Sequence, residues 1–440
     1  MPETETSEMD AQALNSNRRF LFRQPRALQW FEGGKLMKLQ DGERQAGRFE
    51  LFLDLLYVAI LSNFADTLAE DISGTKLVKY MLILAPSWNV WSDLRELMNS
   101  FYNDDLIQRI LILWVMAVLV VYGNNAPLVD EEIGAMRSTV GAYMVARISC
   151  NLAHLLYSFA SYHHRRQQRL WVALSTVALC IYIPLYFESV SIRGKIATTV
   201  VAFVTECITW ILCYSPAGKK LLHVKWSTAV DLAHEIDRFA AFYIIVLGEF
   251  LYLIIVGSHT AVGLNDRLLR AVWTLIIAFC LNWLYVHADG AMETTHPMRH
   301  SVYTAFAWAF IHLPLIASLL AGGHVAASSV EQAELEDPQR WLLCGGLGAG
   351  IIFLYLFSLL HASKDEPGTL ILAKPYRLIM RPVTGIIMVL LPLARHLNTT
   401  PVLSVIMSLF VFCVIWETVG SLKSGAWFYE KWVDNDYPEH

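Results

Sequence analysis

Between residues 50 and 422 the chain alternates long, continuously apolar runs with short polar ones. A run of about twenty apolar residues is long enough to cross a hydrocarbon core as a helix. The pattern predicts about twelve such helices, near 50–70, 77–99, 106–123, 138–160, 170–190, 196–214, 233–256, 268–288, 302–322, 341–361, 378–396 and 402–422. The second carries Pro86 and a polar end, and the eleventh is short and holds Pro392. The connecting segments reach about a dozen residues at most, so no soluble domain is expected and any chemistry belongs in or at the bilayer. Strands of a transmembrane barrel would alternate in polarity, which these runs do not.

Composition agrees with that pattern. Hydrophobic residues make up 55% of the 440 and charged ones only 17%, with a mean hydropathy of +0.42, far from an ordinary soluble domain. The expected fold class is all-α, a polytopic transmembrane helical bundle. The opening "MPETETSEMD" is acidic and polar, so no cleavable signal peptide is expected. Residues 1–47 read as a cytosolic tail with a basic, aromatic second half, in which Arg18, Arg19, Arg23 and Arg26 could face anionic lipid. The segments "HHRRQQR" (163–169), that with Lys219, Lys220 and Lys225, and that with Lys364, Lys374, Arg377 and Arg381 fall on the same side as the tail. The acidic segments "VDEEIG" and "VEQAELED" fall on the other, which places both termini in the cytosol by the positive-inside rule.

Two helices open alike about 190 residues apart, the first with Arg48-Phe49 and the seventh with Arg238-Phe239. Arg109 before the third and Arg299 before the ninth repeat the offset, which points to a parallel six-plus-six duplication. The expected organisation is a first half over 48–225, a second over 226–423 and a cytosolic tail over 424–440.

Charges inside the apolar runs are the candidates for chemistry, because such groups cost several kcal/mol to insert, about 2.5–3.5 at the helix centre. Glu50 and Asp54 share one face of the first helix at i,i+4. His234, Arg238 and Glu249 share a face of the seventh, with Glu249 deepest and the strongest candidate for an acid. Arg147, inside the fourth helix, is the expected partner of Asp54 or Glu249. Asp104 and Asp105 precede the third helix within reach of Arg109; Asp105 is a candidate catalytic acid, or both are acids stabilised by the helix N-terminus, and without a D-D-x-x-D signature they predict no magnesium-diphosphate site. Tyr285, His287 and Asp289 close the eighth helix, and His312 lies beside Pro314 within the ninth. "CGGLGAG" (344–350) is a small-residue patch for close helix approach rather than a phosphate loop. The seven cysteines all lie in apolar runs without a C-x-x-C pair. They therefore predict neither disulfides nor a metal site, and no cofactor is expected. The net charge of −5 argues against a nucleic-acid partner.

Taken together, "ELFLDLLYVAIL", "NDDLIQRI", "GAYMVARISC", "HEIDRFAAFYIIVLGE", "WLYVHAD" and "IHLPLIASLLAGG", in this order, resemble the low temperature requirement A family of membrane proteins across nearly the whole membrane region. The chain departs from the family where a Tyr-Phe-Asp-like end of the eighth helix is expected. It has Tyr285, Val286 and His287 there, with the acid displaced to Asp289. The resemblance implies an architecture and candidate residues and leaves the activity open.

Two functions need acids at such depth. A neutral carboxylic acid in a dry pocket suits protonation of an alkene or epoxide, with the resulting cation held over aromatic faces. With 14 Trp, 18 Tyr and 21 Phe, the favoured expectation is an enzyme performing proton-initiated cyclisation or isomerisation of an isoprenoid. It would be a terpene or meroterpenoid cyclase, with the lipid bilayer and a hydrophobic small molecule as partners. The alternative is a proton-coupled transporter or ion channel. Either would sit in the endoplasmic reticulum or the plasma membrane.

Overall fold

Continuous apolar runs cannot expose backbone polar groups to lipid, so they close their hydrogen bonds internally as helices. Among the described residues twelve long helices form: α1 (Arg48–Glu70), α2 (Gly74–Ser100), α3 (Leu106–Asn125), α4 (Ile133–Ala160), α5 (Arg165–Cys180), α6 (Ile192–Tyr214), α7 (Leu232–Tyr252), α8 (Asp266–Val286), α9 (Val302–Ser328), α10 (Asp337–Leu359), α11 (Met380–Leu390) and α12 (Thr399–Gly420). The computed structural model describes residues 21–33, 35–39, 44, 46–101, 103–221, 226–257, 263–291 and 293–425. Arg18, Arg19 and Lys225 of the basic segments lie outside them. Each predicted helix has its counterpart, and the fold is a polytopic bundle.

Helix ends are fixed by polar residues. Asp105 caps α3 by accepting from the Gln108 amide at 2.9 Å, and Asn265 caps α8. Ser301 and Thr304 form a reciprocal box at the start of α9. Among the described residues, ten helices are long and apolar enough to cross a membrane. The two long helices outside that set are α2 and α4. Their interiors carry Asp93, Arg95 and Glu96 on α2 and Arg147, Asn151 and His154 on α4. Charge has been placed in these helices at the expense of lipid solubility, which marks them as the place to look for a site.

The chain folds into two compact units. The first comprises the described residues up to Phe64 with Met81–Ala241, and the second Ala65–Tyr80 with the described residues from Phe242 onward. In the first unit β1 (Gln29–Glu32) pairs antiparallel with β2 (Lys35–Lys38) and with β3 (Trp226–Thr228). β1 lies shortly before α1 and β3 shortly before α7, so this small sheet brings the two helix entries together. Glu50 then meets His234 and Asp54 meets Arg238, each across 184 positions, so α1 and the start of α7 run parallel and in register.

The second unit packs α9 against α10 through glycine. A Cβ on Gly346 would lie 2.6 Å from the Gly322 nitrogen, and one on Gly348 would lie 2.8 Å from the Gly385 carbonyl oxygen. The "CGGLGAG" stretch is thus a backbone-to-backbone contact surface for α9 and α11.

His164, in the turn between α4 and α5, is buried with Nε2 3.1 Å from the Gln29 carbonyl, tying β1 to that turn. Burial pushes its pKa down from 6.5 to about 4. The unfolded chain therefore takes up a proton near pH 6.5 that the folded protein refuses until about pH 4, so stability falls as pH drops through that window. Melting temperatures of detergent-solubilised protein from pH 7.5 downward are expected to decline, with a shallower slope in His164→Gln.

Candidate functional site

The charges of the first unit fall into two clusters joined by α2. In the first cluster, Glu50 is fully buried and accepts from Arg44 at 2.9 Å, from the Gly47 amide at 2.5 Å and from His234 at 3.1 Å. Asn99 Nδ2 lies 3.2 Å from His234 Nδ1, and Arg44 Nη2 lies 2.9 Å from Nε2. Asp54, also fully buried, accepts at Oδ1 from Trp91 Nε1 (2.7 Å) and Arg238 (2.8 Å). Trp91 packs on Trp88 at 4.9 Å and Phe239 at 5.3 Å. The Arg95 guanidinium lies over both Trp91 (4.9 Å) and Phe239 (4.4 Å) and pairs with Glu235 at 3.1 Å. Each acid here has a cationic or imidazole partner, so this cluster is close to balanced.

The second cluster is not. Arg147 donates to Asp93 Oδ1 at 2.6 Å and lies 3.5 Å from Glu206, so two carboxyl groups share one guanidinium. All three side chains are buried. Glu206 receives hydrogen bonds from Tyr143 (2.6 Å), Asn89 (2.8 Å) and Tyr182 (3.1 Å), which suits a carboxylate. Asp93 Oδ2, by contrast, has no hydrogen-bond partner among the described residues. Glu96, one helical turn on from Asp93, is bonded to Tyr214. Carboxyl groups outnumber the guanidinium bonded among them here, a proton held by one of them offsets the excess, and the open Asp93 oxygen has room for it.

The structure thus gives Arg147 the partners Asp93 and Glu206 in place of Asp54 or Glu249. Asp54 is met by Arg238 because α1 and α7 are in register. Arg147 lies on the face of α4 that is bonded to α2 and α5, through Asp93, Asn89 and Ser175. Asp105 caps α3 and also accepts from the Arg23 amide at 3.0 Å, while Arg109 pairs with Asp104 at 2.9 Å on the surface. Glu50, Asp54, His234 and Arg238 come together in the first unit, whereas Glu249 falls elsewhere in the division of the chain. It belongs to the second unit, half-buried and in the electrostatic field of His324, which pairs with Asp66 at 3.2 Å.

The other expected residues also lie in the second unit. Tyr285 donates to His312 Nε2 at 3.1 Å, and His312 Nδ1 bonds the Trp308 carbonyl at 2.7 Å. Tyr285 stacks on Tyr243 (4.0 Å) and Phe357 (5.1 Å), and Trp308 packs on His312 at 4.4 Å. His287 is exposed beside Trp283. Asp289 is buried and lies 3.4 Å from Lys374. Arg381 forms a two-pronged pair with Glu417 (2.6 and 2.7 Å) and donates to Ser358 and three backbone carbonyls, which fills its donors and makes it a helix tie. Among the described residues no group of three or more His, Cys, Asp or Glu is placed to hold a metal ion.

Sequence reasoning missed Asp93, Arg95, Glu96, Glu206 and the Arg381–Glu417 pair. The signal was available for Glu206 and Glu417, each the only formal charge for several residues within an apolar run.

The sequence profile described as "Bacterial low temperature requirement A protein (LtrA)" matches residues 45–419. An uncharacterised protein of Rhizobium meliloti is 24% identical over 343 residues, which cover 72% of this chain and 78% of that protein. No solved structure matches.

Proposed function

The chain belongs to the low temperature requirement A family of polytopic membrane proteins, and from that premise we propose that it is a membrane-embedded enzyme that cyclises or isomerises an isoprenoid by protonating it. The reading is carried by one observation, the buried Asp93–Arg147–Glu206 cluster, in which one carboxyl oxygen of Asp93 is unpartnered among the described residues. Asp93 gives its proton to one carbon of an alkene, or to an epoxide oxygen, and a carbocation forms at the neighbouring carbon. A second double bond of the same chain attacks that carbon, forming the ring bond. A proton then leaves the final cation for a carboxylate, and the product is an isomer of the substrate. Trp171, 5.8 Å from the Arg147 guanidinium, and Tyr143, 6.0 Å from it, border the cluster with faces suited to positive charge. In this scheme Glu50, Asp54, His234 and Arg238 hold α1 on α7 beside the site, and the acid role expected of Glu249 passes to Asp93. Tyr285 and His312 are a second, uncharged proton-handling pair in the other unit.

Microsomes from a host expressing the chain, supplied with a farnesylated phenol or its epoxide in deuterated water, are expected to form a cyclised isomer. Substrate protonated at carbon carries one deuterium. Recovery of unchanged substrate at the level of membranes lacking the chain would reject the enzyme.

A transporter reading is favoured by a different observation, the succession of ionisable groups from Arg44 through Glu50, His234, Glu235 and Arg95 to Asp93, Arg147 and Glu206. Proton flux through proteoliposomes, with no product formed, would select that reading. For the enzyme, an internal membrane such as the endoplasmic reticulum supplies the lipid-soluble substrate.

A further inference from the structure

Beyond the Arg147 cluster, the contact between α4 and α5 holds buried polar atoms without partners among the described residues. Asn151 donates to Ser175 at 3.2 Å, and two turns further along α4 Ser158 accepts from Arg169 at 3.3 Å, so the two helices run antiparallel. His154 falls between Asn151 and Ser158, and Trp171 between Ser175 and Arg169, which puts them at the same level. Gln168 lies one turn from Trp171 on the same stripe. All four of Asn151, His154, Gln168 and Trp171 are at most 3% exposed. Among the described residues, Asn151 Oδ1, both ring nitrogens of His154, Gln168 Oε1 and Trp171 Nε1 have no hydrogen-bond partner. Asp93 Oδ2 and Arg147 Nε, in the adjoining cluster, are in the same condition. Native interiors leave few such atoms, and each costs free energy unless something meets it.

Their chemistry restricts what that something is. Trp171 only donates, the two amide oxygens only accept, and a neutral His154 does one of each. A hydroxyl group matches this set, because it accepts from the indole or imidazole and donates to an amide oxygen. A diphosphate offers only acceptors and cannot satisfy Asn151 Oδ1 or Gln168 Oε1. A plain hydrocarbon satisfies none of these atoms.

We infer that Asn151, His154, Gln168 and Trp171 seat the polar end of an isoprenoid ligand, and that this end is a neutral ring bearing hydroxyl groups, such as a hydroquinone. The inference rests on the proposed isoprenoid substrate. It places the ring between α4 and α5 and the prenyl chain toward Asp93.

The test uses the full chain in nanodiscs, with tryptophan fluorescence reporting binding of geranylhydroquinone, farnesene or farnesyl diphosphate. Geranylhydroquinone is expected to bind about tenfold or more tightly than either of the others. His154→Phe with Gln168→Leu should lose that preference while keeping the farnesene affinity. Its melting temperature should not fall, because atoms without partners are being removed; Gln168→Met alone serves if the double variant does not fold. Equal or tighter binding of farnesyl diphosphate or farnesene overturns the inference. So does unchanged hydroquinone affinity in the variant, or a variant that is destabilised in a chain binding none of the probes, which would mean that the stripe is simply hydrated. Binding is read without turnover. A chain that binds hydroquinone and never converts it rejects the enzyme and leaves this inference standing. One that cyclises a hydrocarbon and ignores hydroquinone does the reverse.

Discussion

Arg147→Met is expected to destabilise the first unit by about 3–5 kcal/mol, the usual consequence of removing one partner from a buried ion pair. The guanidinium bonds Asp93, the Asn89 carbonyl and Ser175, and lies 3.5 Å from Glu206, so its loss leaves two buried carboxyl groups facing each other with no cation bonded between them. The defect has a specific remedy. Adding Asp93→Asn to Arg147→Met removes one of those carboxyl groups and is expected to recover a large part of the loss. Glu206→Gln should recover less, because Glu206 keeps three other hydrogen-bond donors. Arg147→Lys should fall between, since an ammonium keeps the charge and cannot bridge the same set of acceptors. Thermal unfolding of detergent-solubilised protein followed by size-exclusion fluorescence measures all four. If Arg147→Met melts with the wild type, Arg147 is not what balances the cluster.

The helices could be read from the sequence because each is set by its own residues. Twenty apolar residues in a row have no alternative to a helix in lipid, and a cap such as Asp105 acts within three positions. Which charges meet is another matter. Glu50 and His234 are 184 residues apart, and their contact is fixed by β1 pairing with β3 as much as by α1 and α7. The repeated Arg-Phe opening was visible, but it does not reveal that Glu50 meets His234 and Asp54 meets Arg238. Arg147 was recognisable as a buried charge; Asp93 was not, because "WSDLREL" reads as an ordinary polar helix end. Only its burial, with one oxygen on Arg147 and the other unpartnered among the described residues, distinguishes it from the exposed Asp104 nearby.

That distinction makes Asp93→Asn the most informative single substitution. An asparagine keeps the shape and can still accept at one atom from Arg147, so the fold should survive, yet it has no proton to give. General acid catalysis typically contributes about 10²–10⁴-fold, and conversion of the isoprenoid is expected to fall by that order. Glu249→Gln should convert at the wild-type rate, because Glu249 belongs to the second unit, in the electrostatic field of His324, and the Arg147 cluster belongs to the first. Glu206→Gln should act differently from both. It removes a carboxylate that can receive the final proton, so trapped or hydrated cations should appear among the products while substrate is still consumed. The three variants are compared in the same microsomes, with protein level normalised and products separated by chromatography. Full activity in Asp93→Asn, or its loss in Glu249→Gln alone, would transfer the acid role to the second unit and remove the argument from the unbalanced cluster.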